Sequence, residues 1–189
     1  MMSVLKNSLG ISHDIVSKVV KQGDRVIDAT AGNGNDTLFL AELVGDSGHV
    51  YSFDIQDIAI ENTRNKLRAA GMLSRVSLIH DGHENMDIHV KEPVKAIMFN
   101  FGYLPGGDHK ISTKAETSIC AVEKGIHMIV PGGIVMMVIY YGGDSGFDEK
   151  EAIMKYLKTI DCKRYSVLVH EFVNQINCPP IAACIERLK

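Results

Sequence analysis

A chain of 189 residues with 46% hydrophobic and 23% charged residues suggests a single domain, 1–189, with a proper core. Its net charge of −3 excludes a general polyanion binder, though it leaves room for a local basic patch, and no apolar run reaches the ~20 residues of a bilayer span. The four cysteines (Cys120, Cys162, Cys178, Cys184) form no CxxC pair, show no zinc spacing and follow no secretory signal, so they read as reduced, buried thiols of a cytoplasmic protein without a metal site.

In chain order, Ser12 can cap a short helix with Ile15, Val16, Val19 and Val20 at helical spacing before Gly23. A strand at about 25–29 carries Val26, Ile27 and Asp28, then a turn of small residues, Ala29-Thr30-Ala31-Gly32-Asn33-Gly34-Asn35. Asp36-Thr37 opens a helix to about Val44. His49–Ile55 is a second strand, ending at Asp54, and Ile58–Ala70 a helix with Ile58, Ile60, Leu67 and Ala70 apolar, closed by Gly71. Arg75–His80 is a third strand followed by Asp81-Gly82-His83.

Lys95–Phe99 is a fourth strand ending at Asn100, and a glycine-rich loop runs from Phe101 to Asp108. Thr113 and Glu116 form a capping box for a helix with Ile119, Val122, Ile126 and Ile129, broken by Pro131-Gly132-Gly133. Ile134–Tyr141, apolar on both faces, suits a central parallel strand. A helix over Asp148–Leu157 and two last strands, Tyr165–Phe172 and Ile181–Leu188, complete the chain; those strands could pair across a two-fold, which makes a homodimer an expectation. Strands alternating with helices mean an α/β, Rossmann-like doubly wound sheet, whose ligands sit outside the carboxyl ends of the strands. Asp28, Asp54, Asp81 and Asn100 fall at those ends.

Strand, glycine turn and helix N-terminus bring backbone N–H groups to a ligand. The turn reads G-N-G-N-D-T from Gly32, so Thr37 stands where a dinucleotide fingerprint needs a small residue, and Asp36 would repel a pyrophosphate. A ligand with little negative charge fits better. S-adenosylmethionine has a sulfonium, an ammonium and no phosphate. Asp28 and the Asn side chains can engage its amino-acid part, or Asp28 can serve to bond the turn amides. Asp54, about twenty residues past Gly34, is placed to accept the ribose hydroxyls. Asp81-Gly82-His83 is placed for adenine.

Asp28-x-x-x-Gly32-x-Gly34, Asp54, Asp81 and Pro131-Gly132-Gly133 before a strand resemble the class I S-adenosylmethionine-dependent methyltransferases. The resemblance implies a seven-stranded, mostly parallel sheet with the last strand antiparallel. More narrowly, DATAGNGNDT and NFGYLPGGDH resemble a small bacterial family once labelled rRNA methylases and now associated with tRNA 5-(aminomethyl)-2-thiouridine methyltransferase. That family's activity methylates the exocyclic amine of the modified wobble uridine, giving 5-methylaminomethyl-2-thiouridine, so the tRNA anticodon loop is the implied partner. The resemblance implies cofactor contacts from Thr30, Asn33, Asn35, Asp54, Gln56 and His83, with close backbone approach at Gly82. Amine-methylating relatives of the wider class often end the fourth strand in Asn/Asp-Pro-Pro-Tyr/Phe; here the run is Asn100-Phe101-Gly102-Tyr103.

Methyl transfer needs alignment and a free lone pair on the amine. Asn100 could accept a hydrogen bond from the amine, Tyr103 could stack on the uracil, and His109 or Asp108 could orient or deprotonate the nitrogen. The Tyr140-Tyr141 edge suits either the pocket or the core. The remaining histidines, His13, His49, His80, His89, His127 and His170, read as surface or core. Lys110, Lys114, Lys163 and Arg164 are candidates for phosphate contact. Rival readings are a methyltransferase acting on rRNA or a small molecule, a nicotinamide oxidoreductase, and a non-catalytic cofactor-binding module.

Overall fold

The strands carry apolar residues on both faces, and helices cover each face. The computed structural model describes residues 4–104, 106, 112–142 and 146–189. Its strands are β1 (Arg25–Asp28), β2 (His49–Asp54), β3 (Val76–His80), β4 (Val94–Phe101), β5 (Ile129–Ile139), β6 (Tyr165–His170) and β7 (Ile181–Arg187). Its helices are α1 (Ser8–Val19), α2 (Asn35–Val44), α3 (Asp57–Ala69), the single turn α4 (Met86–His89), α5 (Ala115–Met128) and α6 (Gly146–Leu157). The strands form one sheet in the order β3-β2-β1-β4-β5-β7-β6. Strands β1 to β5 pair with one another in parallel, and β7 runs antiparallel between β5 and β6.

Side chains alternate across a strand, so each central strand feeds two cores. Ile97, Phe99 and Phe101 of β4 pack with Ala121, Val122 and Ile126 of α5 and with Ile153 and Leu157 of α6. Ala96 and Met98 pack on the other side with Val16 of α1, Leu40 and Val44 of α2, and Leu67 of α3. Each fully buried aliphatic or aromatic side chain here contributes about 1.5–3 kcal/mol of transfer free energy. The parallel register then brings the ends of β1 to β5 out along one edge, and the connection between β6 and β7 returns to that same edge.

Several local expectations are corrected. The first helix begins earlier than expected: Asn7 is its N-cap, accepting from Gly10 N–H at 2.8 Å, while Ser12 lies inside the helix and donates to Leu9 O. On α3 the buried face is Ala59, Ile60, Thr63 and Leu67; Ile58 is 58% exposed and Ala70 is exposed. The capping box does not form. Lys114 is the N-cap of α5, and the Thr113 hydroxyl is committed to Gly102 and Glu149. Pro131-Gly132-Gly133 does not break the helix, which ends at Met128; it lies within β5 as the irregularity between the Val94↔Ile129 and Ala96↔Ile134 pairs. Since β7 lies inside the sheet, of the last two strands β6 is the one with an outer edge.

The turn after β1 is held from beneath. Asp28 is fully buried; its Oδ1 accepts from Thr30 N–H at 3.2 Å and its Oδ2 from the Thr37 hydroxyl at 2.5 Å. The Thr37 hydroxyl also meets Ser52 Oγ at 2.8 Å, tying β1, β2 and α2 at one point. Gly34 has a φ of +74°, and a Cβ there would stand 2.8 Å from Thr63 Cα. Its lack of a side chain lets α2 start against the backbone of α3.

Gly34→Ala combines a left-handed backbone with overpacking and is expected to lose about 2–4 kcal/mol of stability in urea denaturation. Burial, and then the neighbouring Asp36, push the Asp28 carboxyl up from 3.8 to about 7. Between those values the folded chain holds a proton that the unfolded chain has released, so this group makes stability fall as pH rises through that window. Asp28→Asn should therefore flatten the pH dependence of the unfolding free energy between about pH 4 and 7 relative to the unsubstituted chain.

Candidate active site

A cavity of about 950 Å³ opens at the carboxyl edge of the sheet. Ala29–Asn33 of the turn line it, with Asn35 and Asp36 of α2, Asp54–Gln56 after β2 and Asp81–Glu84 after β3. Asn100, Gly102, Tyr103 and Leu104 line its other side, with Tyr140, Tyr141, Cys178 and Pro180. The size and the convergence of few polar groups on an apolar floor are those of a small-molecule site.

On the β2–β3 side, Asp54 is shaped by the turn itself. Its Oδ2 accepts from Gly32 N–H at 2.9 Å and its Oδ1 from Gln56 N–H at 3.0 Å. Each carboxylate oxygen keeps a second lone pair, which suits two vicinal hydroxyls. Asn33 and Asn35 also line the cavity, but their side-chain oxygens turn to α3, where Asn62 Nδ2 and Lys66 Nζ reach them. Asp81 organises its own loop. It accepts from Gly82 N–H and Asn85 Nδ2 and faces His89 Nε2 at 2.8 Å. These contacts, that of His89 foremost, hold its carboxyl below the usual range. His83 is 9% exposed, with Phe99 and Phe101 edge-on at 5.8 and 6.1 Å. Burial keeps its imidazole neutral by pushing the pKa down. Its buried Nε2 has no hydrogen-bond partner among the described residues.

On the β4–β5 side, Thr30 Oγ1 accepts from Asn100 N–H at 2.8 Å, fixing the end of β4 to the turn. The Asn100 amide donates from Nδ2 to Asp36 Oδ2 at 2.7 Å, so its remaining Oδ1 can only accept. Asp36 Oδ1 meets His13 Nε2 at 2.7 Å. The ends of the 101–113 loop are pinned together. Gly102 N–H donates to Thr113 Oγ1 at 2.8 Å, Thr113 N–H to Gly102 O at 2.9 Å, and Tyr103 bridges Ser112. Beneath them the buried Glu149 carboxylate accepts from Thr113 and Ser118 hydroxyls at 2.8 and 2.6 Å. Burial raises its pKa, and those two bonds lower it. Tyr103 stands 44% exposed at the mouth, and Tyr140 is held neutral by burial and by the charge of Asp36.

Of the residues expected in the site, Thr30, Gly32, Asn33, Asn35, Asp54, Gln56, Asp81, Gly82, His83, Asn100 and Tyr103 line the cavity. Asp28 and Gly34 do not: the first supports the turn from below and the second packs against Thr63. His109, Asp108 and Lys110 lie outside the described residues. Lys114 lines the cavity, whereas Lys163 and Arg164 precede β6 at the opposite edge, where Tyr165 pairs with Arg187. Cys184 is buried, but Cys162 is exposed, Cys120 and Cys178 are half-buried, and Cys178 reaches the cavity.

Asp36, which the sequence marks only as an obstacle to phosphate, lines the cavity, and so do Glu84, Cys178 and Pro180, which carry no sequence signal for it. His13, which reads as a scattered histidine, does not line the cavity but meets Asp36. A pairing across 23 residues leaves no periodicity to detect.

The lining carries Asp36, Asp54, Asp81 and Glu84 against Lys114, which favours a cationic ligand over an anionic one. The orphaned His83 Nε2 and the hydroxyl-ready Asp54 both fit an adenosine-bearing ligand. Among the described residues no group of three or more His, Cys, Asp or Glu is arranged to hold a metal ion, and no helix is long and apolar enough to cross a membrane.

The family model described as "Putative rRNA methylase" matches residues 50–186. A chloroplastic tRNA (mnm(5)s(2)U34)-methyltransferase of Arabidopsis thaliana is 33% identical over 192 residues, spanning 96% of this chain and 70% of that protein. A "putative rRNA-methylase" structure from Clostridium thermocellum shares 57% identity at a TM-score of 0.97, over 98% of this chain and 100% of that one. A "putative methyltransferase" from Streptococcus mutans, solved in complex with SAH, shares 38% identity at a TM-score of 0.90, again over 98% and 100%. With the strand order, the glycine turn and the carboxyl-edge cavity already in place, these matches show that the chain belongs to the rRNA methylase family and is a methyltransferase of the class I fold.

Proposed function

We propose that this chain methylates the aminomethyl nitrogen of 5-aminomethyl-2-thiouridine at the tRNA wobble position, giving 5-methylaminomethyl-2-thiouridine. S-adenosylmethionine is the methyl donor and supplies an electrophilic methyl on a sulfonium. Asp54 holds the ribose hydroxyls, His83 Nε2 and the Asp81–His83 loop face the adenine, and the backbone of Thr30–Asn33 lies along the amino-acid part. The β4–β5 side then receives the base, with Asn100 Oδ1 accepting from the amine and Tyr103 stacking on the uracil.

The observation that carries this reading is the buried carboxylate on the β4–β5 side of the cavity. Asp36 lies beside Asn100 and Tyr140, where a primary ammonium finds a countercharge that a neutral nucleophile such as a ribose hydroxyl or ring carbon does not need. The Arabidopsis relative supports the same chemistry, being named for the 5-methylaminomethyl-2-thiouridine of position 34. An anticodon loop presents that base unpaired, so splaying it into the cavity costs less than extracting a paired base. Methylation of rRNA stands as the second reading, because the family's description carries that activity.

Asp54→Ala is expected to weaken S-adenosylhomocysteine binding by about tenfold to a hundredfold in calorimetric titration, the range for losing hydrogen bonds to a charged group. Mass spectrometry of tRNA nucleosides from cells lacking the gene should show loss of the methylated wobble nucleoside and build-up of the primary amine. Unchanged tRNA nucleosides with a missing methyl group in rRNA would favour the second reading.

A further inference from the structure

Asp36 has the surroundings of a working carboxylate. It stands in the first turn of α2 with its side chain 5% exposed, and both oxygens are held by groups from other elements. His13 of α1 approaches Oδ1 at 2.7 Å, and Asn100 of β4 donates to Oδ2 at 2.7 Å. His13 is itself fixed, stacked flat on Phe39 with ring centroids 4.0 Å apart and planes 9° apart, yet 30% of its side chain reaches solvent. A second carboxylate–histidine pair, Asp81 with His89, also borders the cavity, but Asp81 is 34% exposed and follows β3, the strand at the far edge of the sheet from β4. Among the described residues, Asp36 is the carboxylate that takes a hydrogen bond from the Asn100 side chain.

We propose that Asp36 is the carboxylate that binds the substrate ammonium and accepts its proton, and that His13 is a positioning residue that holds Asp36 in place for it. This rests on the amine reading above. The primary ammonium, R–CH2–NH3⁺, passes one proton to Asp36 and keeps the electron pair on nitrogen. That pair forms the new C–N bond as the methyl–sulfur bond breaks with its own pair left on sulfur. The product departs as the secondary ammonium R–CH2–NH2⁺–CH3, and Asp36 returns its proton to water. His13 Nε2 at one Asp36 oxygen and Asn100 Nδ2 at the other fix the carboxylate from two sides. Among the described residues, Asp28 beneath the turn and Tyr140 after β5 also face Asp36.

The test is single-turnover methylation of an anticodon stem-loop RNA carrying 5-aminomethyl-2-thiouridine, between pH 5.5 and 9, with S-adenosylhomocysteine affinity and thermal unfolding measured alongside. Asp36→Asn should lower the rate at pH 7.5 by about a hundredfold or more, the range for losing a general base, with cofactor affinity unchanged within about threefold. His13→Ala should lower the rate by about tenfold, the size of losing one hydrogen bond to a charged group, with cofactor affinity and thermal midpoint little changed, and His13→Gln, which keeps an N–H donor toward Asp36, should restore most of the rate. A merely structural His13 would lower the thermal midpoint along with the rate. The proposal is overturned if Asp36→Asn keeps more than about a fifth of the rate, if His13→Ala keeps the full rate, or if His13→Gln is no better than His13→Ala. If the unsubstituted enzyme leaves the amine RNA untouched, the amine reading fails and this inference goes with it.

Discussion

Asp28 sits with no water contact at the end of a central strand and still carries a carboxyl group. Burying it is tolerable because the turn amide of Thr30 and the hydroxyl of Thr37 satisfy its oxygens, with Ser52 completing the cluster from β2. The cluster sets the direction in which the chain leaves β1. From it follow the outward-facing backbone of Ala29–Asn33, the start of α2 and the position of Asp36. Gly34 completes the constraint from the other side, since only a residue without a Cβ fits against Thr63 at that backbone angle. The glycine turn is shaped by the packing beneath it.

The cavity divides between two sets of supports. Its β2–β3 side is built on the ends of β1, β2 and β3, where Asp54 is clamped by Gly32 and Gln56 amides and His83 is wedged beside Phe99 and Phe101. Its β4–β5 side depends on longer-range ties. Thr30 grips the end of β4, Glu149 anchors the base of the 101–113 loop through Thr113 and Ser118, and the β6–β7 connection brings Pro180 to the rim. The Ser8 hydroxyl donates to the Pro180 carbonyl, so α1 and the last connection meet across the opening. Such supports hold reacting groups to the tolerance that in-line transfer needs.

The charge of the cavity and the charge of an RNA partner point in opposite directions. The interior gathers carboxylates, which suits a sulfonium and an ammonium, while the phosphates of a nucleic acid need cations outside it. Lys114 lies on the cavity wall, but Lys163 and Arg164 are at the wrong edge of the sheet to serve. A small enzyme can reconcile the two demands by admitting only the base and leaving the backbone at the rim.

The sequence by itself determined the alternation of strands and helices, the carboxyl-edge location of the site and the pairing of the glycine turn with Asp54. These depend on residue periodicity and on spacing within one βαβ unit, which are local. Helix ends were less legible where a side chain had a stronger distant partner, as Thr113 does in Glu149. Only the tertiary structure decided that Asp28 and Gly34 support the turn without lining the cavity, because their roles are set by Ser52 and Thr63 on other elements. It also decided that His13 meets Asp36. A histidine on an amphipathic helix has many bland explanations, and only the folding of α1 over the start of α2 places its imidazole 2.7 Å from a buried carboxylate.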